Sequence, residues 1–423
     1  MFIQNAKLYG QEGLWDLHII ENKIFSITPA QQSPIPSGEK VIDVNGKIVL
    51  PPFVEPHIHL DYVLTAGTPR WNQSGTLFEG IQIWSERKKV VKGSKEEIKY
   101  RALQALHMQI KHGVQHVRTH VDITDPSLLG LEALLEVKQE IKPYVDLQIV
   151  AFPQEGIYSY PKGDELLEEA LKMGADVVGG IPHYEFTRED GVRSVQKSIE
   201  LAYQYGKMVD IHCDEIDDEQ SRFVEVVAAE AYKLGMGELV TASHTTAMGS
   251  YNDAYTYKLF KLLKQSNINF VSLPKANLHL QGRFDSYPKR RGLTRVKELL
   301  EADINVCFGL DSIMDPWYPL GDGNLMTVVD TGLHACHMTG YNDIISALNL
   351  ITTNGAKTLN LLETYGIKAG NPANLVVIDS TSEYDAIRLQ STVLYSIRNG
   401  EVLVETKPAE TKLNMPLNEY LTL

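Results

Sequence analysis

Apolar and polar positions follow two regimes along this chain of 423 residues. From Met1 to about Ile48 they alternate in short runs broken by turn signals at Glu21-Asn22 and Val44-Asn45-Gly46-Lys47, the pattern of half-buried antiparallel strands. The pattern returns at Ala373–Ile378, Val393–Arg398 and Glu401–Val404. Between the last two stands Asn399-Gly400, a dipeptide suited to a tight hairpin turn. The two ends of the chain are therefore expected to meet in one small β-sandwich. Between them, continuous apolar runs alternate with amphipathic helices, as in parallel βα units covered on both faces. Eight strands are expected, ending near His59, Asp122, Gln154, His183, His212, His244, Pro274 and Asp311. The spacing of Ile98, Ala102, Leu106 and Ile110 predicts a helix over Glu96–His112 that stops at Gly113. The fold class is α/β, a (β/α)8 barrel with an appended sandwich. The expected division is 1-50 for the first part of the sandwich, 51-366 for the barrel, and 367-423 for the rest of the sandwich and a tail. The segment from Leu60 to about Lys92, rich in Gly, Pro, Trp and Asn, reads as a long loop of the kind that forms lids.

In a (β/α)8 barrel the functional groups gather at the C-terminal ends of the strands. The first strand closes on His57-Ile58-His59, and side chains two apart on a strand point to the same side. Three later runs end comparably, at His212, at His244 and at Asp311. His57, His59, His212 and Asp311 together offer three imidazoles and one carboxylate, a set suited to one divalent ion such as zinc or iron(II). Such an ion would lower the pKa of a bound water towards neutrality. Glu215, three residues beyond His212, is placed to act as general acid and base outside the ligand set. His244 is expected to orient the water together with Asp311. The neighbouring Asp217, Asp218 and Glu219 read as solvated acids at a helix start. His120 and His183 read as structural, and His107, His112 and His116 need no functional role.

Composition narrows the partners. With 54 Asp and Glu against 40 Lys and Arg, the formal net charge is −14, which opposes binding to a nucleic-acid backbone and favours a small uncharged or cationic substrate. Three cysteines without a CxxC spacing give neither a disulfide framework nor a thiolate zinc site, and fit a reducing cytoplasm. No run approaches the roughly 20 apolar residues of a membrane span, and Met1–Lys7 lacks the apolar core of a signal peptide. The expected protein is cytoplasmic, without a membrane or nucleic-acid polymer as partner, and a homo-oligomer.

Six stretches carry a family resemblance. They are Pro51-Pro-Phe-Val-Glu-Pro-His-Ile-His-Leu60, Trp71-Asn-Gln-Ser-Gly-Thr-Leu-Phe-Glu-Gly80, Ile149-Val-Ala-Phe-Pro-Gln-Glu-Gly156, the run His212 to Arg222, Ala242-Ser-His-Thr-Thr-Ala247 and Asp315-Pro-Trp-Tyr-Pro-Leu320. Nearly the whole chain resembles the bacterial cytosine deaminases of the amidohydrolase superfamily. By that resemblance His57, His59, His212 and Asp311 match metal ligands, and Glu215 and His244 match the catalytic pair. Gln154 matches the residue whose amide grips the pyrimidine edge, and Leu77, Phe152 and Trp317 match pocket-lining positions. The implied reaction is hydrolytic deamination of a free base. A carboxylated lysine at the end of strand four bridges the two metals of hydantoinases and dihydroorotases, but here that segment is Val177-Val-Gly-Gly-Ile-Pro-His183, so a single ion is expected. One departure stands out. Where the family shows His-Asp-Asp, this chain has Leu310-Asp311-Ser312. In the family the second aspartate lies against carbon 5 of the bound ring, so the smaller, uncharged Ser312 suggests a pocket opened for 5-methylcytosine. The other readings are plain cytosine, isoguanine or another amino-azaheterocycle, and a non-catalytic relative that only binds.

Overall fold

The computed structural model describes residues 1–32, 35, 37–91, 93–408 and 412. Strands β1 (Phe2–Leu8), β2 (Trp15–Ile20), β3 (Lys23–Pro29), β4 (Val41–Asp43) and β5 (Ile48–Leu50) precede the barrel. The barrel strands are β6 (Phe53–Ile58), β7 (Val114–Asp122), β8 (Asp146–Phe152), β9 (Val177–Gly180), β10 (Met208–Cys213), β11 (Val240–His244), β12 (Asn269–Ser272) and β13 (Val306–Phe308). Strands β14 (Leu375–Ile378), β15 (Val393–Arg398) and β16 (Glu401–Glu405) follow.

Both ends of the chain build one sheet in the order β16-β15-β14-β5-β1-β2-β3, with β4 also beside β1. The junction is the antiparallel pairing of Val49 in β5 with Val377 in β14. The β15–β16 hairpin turns at Asn399 and Gly400, whose φ values of +50° and +80° are those the Asn-Gly signal requires. Ile3, Leu17, Ile24, Val49, Leu375 and Val377 pack into a core of their own. The sheet is not wholly antiparallel as the alternation suggested, because β4 and β5 both run parallel to β1. Alternation reports which face is buried and carries no strand direction. The tail expected at the end of the chain falls mostly on 409–411 and 413–423, outside the described residues.

The eight barrel strands pair in sequence order, all parallel. Every residue of β6 and β7 is buried, as expected of strands with the barrel interior on one face and helices on the other. The barrel closes between the first and last strands at a bridge from Ile58 to Asp311. There the Asp311 amide donates to the His57 carbonyl at 2.9 Å, and the His59 amide to the Asp311 carbonyl at 3.2 Å. Closure therefore fixes three of the expected metal ligands relative to one another. Buried Glu55 reinforces it, accepting from the backbone N–H groups of His57 at 2.8 Å and Leu310 at 3.0 Å.

The helix expected over 96–112 is α2 (Lys95–Lys111), capped by the Ser94 hydroxyl, which accepts from the Glu97 amide. It ends before Gly113, whose φ is +86°. The expected long loop differs from the structure. Its second half is helix α1 (Leu77–Val90), capped by Thr76, which accepts from the Glu79 amide. Leu77, Ile81 and Trp84 form its buried stripe, which joins Tyr62 and Trp317 in a small apolar cluster. Gly80 permits this packing, since a Cβ there would lie 2.5 Å from the Trp317 indole. Composition suggested a loop because Gly, Pro and Asn crowd residues 67–75, just before the cap.

Candidate metal and catalytic site

His57, His59, His212 and Asp311 come together at the C-terminal mouth of the barrel, all nearly or fully buried. Nε2 of His59 lies 3.1 Å from Nε2 of His212, and Asp311 Oδ1 lies 3.5 Å from Nε2 of both His57 and His59. A tetrahedral ion with ligand bonds of about 2.0–2.2 Å needs donors about 3.3 Å apart, so these spacings fit one ion. His57 Nε2 is buried and has no hydrogen-bond partner, as an atom reserved for an ion would be. Burial first, then the neighbouring rings, holds the pKa values of His57, His59 and His212 well below the usual histidine range. Neutral imidazoles keep the lone pairs that coordination uses.

A relay from the barrel interior sets which nitrogen of His57 is free. The Ser243 hydroxyl donates to Asp210 Oδ1 at 2.6 Å, so its oxygen is left to accept from His57 Nδ1 at 3.0 Å. The proton of His57 is thereby placed on Nδ1 and the lone pair on Nε2. The other oxygen of Asp210 takes Nη1 of the fully buried Arg118 at 3.0 Å, and Arg118 also donates to Thr241 and to the Thr358 carbonyl. Nothing in the sequence pattern singled out Arg118, Asp210 or Ser243. Their alternation along β7, β10 and β11 was the available signal, since polar residues at inward positions of buried strands need partners.

Glu215 and His244 form a second group. Glu215 Oε1 is 3.1 Å from His244 Nδ1, and the Asn277 amide lies within 3.3 Å of both. Burial opposes a charged His244, but Glu215 beside it, together with Asp311 and Asp210, outweighs burial and raises the ring's pKa. His244 and Asp311 have φ values of +68° and +67°, a region that costs non-glycine residues energy and recurs at functional sites. Asp214, one residue before Glu215, serves the fold instead, accepting from Ser221 Oγ and from the amides of Phe223 and Val224 at the next helix start. Asp217 and Asp218 likewise accept backbone amides, from Gly282 and Gln220.

Above these groups lies a small pocket. Gln154, Leu77, Ser312 and Trp317 line it, together with Tyr62, Ile181 and Leu280, which sequence reasoning missed. Phe152 is not among its lining residues; it stacks on the His212 ring at 3.9 Å and lies edge-on to His59, bracing two expected ligands. Ser312 is buried beside Asp315, whose carboxyl burial pushes up to about 6. His120 is fully buried, 3.9 Å ring to ring from His57, without a hydrogen bond to either nitrogen. His183 lies past the end of β9, and burial lowers its pKa to about 4.

Comparison with known proteins gives a consistent result. The model of the amidohydrolase family matches residues 40–404. A crystal structure of 5-methylcytosine deaminase from Klebsiella pneumoniae, liganded with 5-fluorocytosine, is 57% identical with a TM-score of 0.95, covering 98% of this chain and 99% of that one. The same protein has also been solved with phosphonocytosine. N-isopropylammelide isopropyl amidohydrolase from Pseudomonas sp. (strain ADP) is 30% identical over 411 residues, 96% of this chain and 97% of that protein. With the family match spanning the whole barrel, this chain belongs to the amidohydrolase family.

Proposed function

We propose that this protein is a metal-dependent deaminase of free cytosine-type bases, acting above all on 5-methylcytosine to give thymine and ammonia, and on cytosine to give uracil. The observation that carries the reading is the convergence of His57, His59, His212 and Asp311 beside the Glu215–His244 pair, beneath a small buried pocket. The likeness to the Klebsiella enzyme supports the substrate class. One divalent ion, zinc or iron(II), is the cofactor this donor set suits. When bound, it supplies the Lewis acidity that makes water nucleophilic near neutral pH.

The roles of the chain's own residues follow from their positions. Water adds to carbon 4 of the ring while Glu215 takes one of its protons and passes it to N3. Glu215 then carries the proton of the added hydroxyl to the departing amino group, so that the C–N bond breaks, ammonia leaves and the carbonyl forms. His244, paired with Glu215, and Asp311 orient the water, and Asn277 holds Glu215 and His244 in register. Gln154 grips the ring edge away from carbon 4. Leu77 and Trp317 close the pocket over the ring, and Ser312 leaves room at carbon 5. The deciding experiment measures ammonia release from cytosine and 5-methylcytosine by metal-replete protein. Release from 5-methylcytosine at the higher kcat/KM is expected, and release from neither base would overturn the reading.

A further inference from the structure

Tyr62 stands three residues beyond His59 and is 1% exposed. Its ring stacks on His59 at 4.7 Å and on Trp317 at 4.8 Å, with Trp84 tilted against it at 4.4 Å. Three aromatic neighbours leave this ring no room to turn. Its hydroxyl lies 2.6 Å from Oε1 of Gln154. That separation belongs to an O–H···O bond, being shorter than the roughly 2.7–3.2 Å of N–H···O bonds, so Tyr62 donates and Gln154 accepts. The two polar groups of a planar amide point apart. Pinning Oε1 against Tyr62 therefore turns Nε2, with its two protons, the other way. Both residues line the pocket with Glu215 and His212, and Gln154 is only 4% exposed, so no bulk water offsets a mismatched donor there.

We propose that Tyr62 is a positioning residue that decides which ring the pocket accepts: by holding Oε1 of Gln154 it presents Nε2 as a fixed donor, which selects an oxo group at carbon 2 over an amino group. This rests on the reading of the protein as a deaminase of cytosine-type bases. A ring with amino groups at both carbon 2 and carbon 4 keeps the reacting carbon but sets donor against donor at Gln154. Without the Tyr62 hydroxyl the amide is free to rotate, and either group is then accommodated.

The test uses Tyr62→Phe, which keeps the stacked ring and removes only the hydroxyl. Two rings, 2-pyrimidinone and 2-aminopyrimidine, lack a leaving group at carbon 4 and so report binding without ammonia release; both are also measured in a Glu215→Gln background, where addition of water to carbon 4 does not contribute to binding. Calorimetry on metal-replete wild-type protein is expected to favour 2-pyrimidinone by at least about tenfold, and Tyr62→Phe to reduce that preference about fivefold or more. The kcat/KM ratio of cytosine to 2,4-diaminopyrimidine should fall in parallel, with KM for cytosine rising more than kcat falls. Gln154→Glu, an acceptor in place of the donor, should reverse the binding preference even if Tyr62→Phe proves unstable. An unchanged preference in Tyr62→Phe within twofold, no preference in wild-type protein, or no reversal in Gln154→Glu overturns the assignment. Selective binding of 2-pyrimidinone without ammonia release from cytosine or 5-methylcytosine would instead overturn the deaminase reading and leave the role of Tyr62 standing.

Discussion

Ser243 takes the Nδ1 proton of His57 at 3.0 Å while giving its own proton to Asp210 at 2.6 Å, so one hydroxyl ties a candidate metal ligand to the charged interior of the barrel. The pairing aims His57 Nε2, which has no other partner, at the point where His59, His212 and Asp311 meet. Ser243→Ala removes the acceptor that selects this tautomer. It is expected to weaken metal affinity about 10–100-fold with the fold intact, measured by competition with a coloured chelator. Equal affinity in the variant would mean that His57 is oriented by its packing alone.

Removing a ligand and removing the proton carrier should have different signatures. His59→Ala takes one imidazole from a four-donor set and is expected to lose both metal and turnover. Glu215→Gln leaves the four donors in place, and should retain metal while turnover falls at least about 10²-fold. Elemental analysis of both purified variants alongside ammonia release distinguishes them. Metal loss in Glu215→Gln would move Glu215 into the ligand set.

Ser312 is buried in the pocket wall beside Asp315. Ser312→Asp places a bulkier, charged group there and should penalise 5-methylcytosine more than cytosine. Room for one methyl group is worth about 1–3 kcal/mol, or roughly 10–200-fold in relative kcat/KM. Taking the ratio of the two substrates in each protein cancels losses of folding or metal that lower both activities alike. A ratio unchanged within about twofold would remove Ser312 from substrate choice.

The terminal sheet is fastened to the barrel partly through Asp146 at the start of β8, whose Oδ1 accepts from Arg398 Nη2 at 2.9 Å and whose Oδ2 lies 3.0 Å from His116 Nδ1. Burial pushes this carboxyl up, but His116 and Arg398 outweigh it and hold its pKa at about 2, against 3.8 ordinarily. A carboxyl whose pKa is depressed on folding stabilises the folded state above its unfolded value, and that contribution disappears as pH falls through the folded value. Arg398→Gln should therefore lower stability most above about pH 4, with the gap from wild type closing towards pH 2. Urea denaturation across that range measures it, and a gap that widens in acid would contradict the assignment. Asp146 is half-exposed, so the effect should be small and reduced by salt.

Sequence periodicity by itself determined the order of elements. Continuous apolar runs alternating with helices dictated eight parallel strands, and with them the end of the barrel where His57, His59, His212, His244 and Asp311 fall, because side-chain direction is set locally by a strand's two-residue repeat. Local capping chemistry for α1 was also present, in Thr76 and Glu79, though the glycines and prolines before it concealed the helix. What only the tertiary structure decided are relationships between residues far apart in the chain. Tyr62 meets Gln154 across 92 positions, Arg118 meets Asp210 across another 92, and Ser243 meets His57 across 186. None of these partners is distinctive in sequence, since tyrosine, serine and arginine serve many ends. Phe152 shows the same limit: its register in β8 was legible, but which ring it would brace depended on how β6 and β10 closed around it. Hydrogen bonds and ring contacts reach only a few ångströms, so their partners are chosen by the closure of the whole barrel, whereas the hydrophobic repeat that builds each strand and helix acts within a few residues of chain.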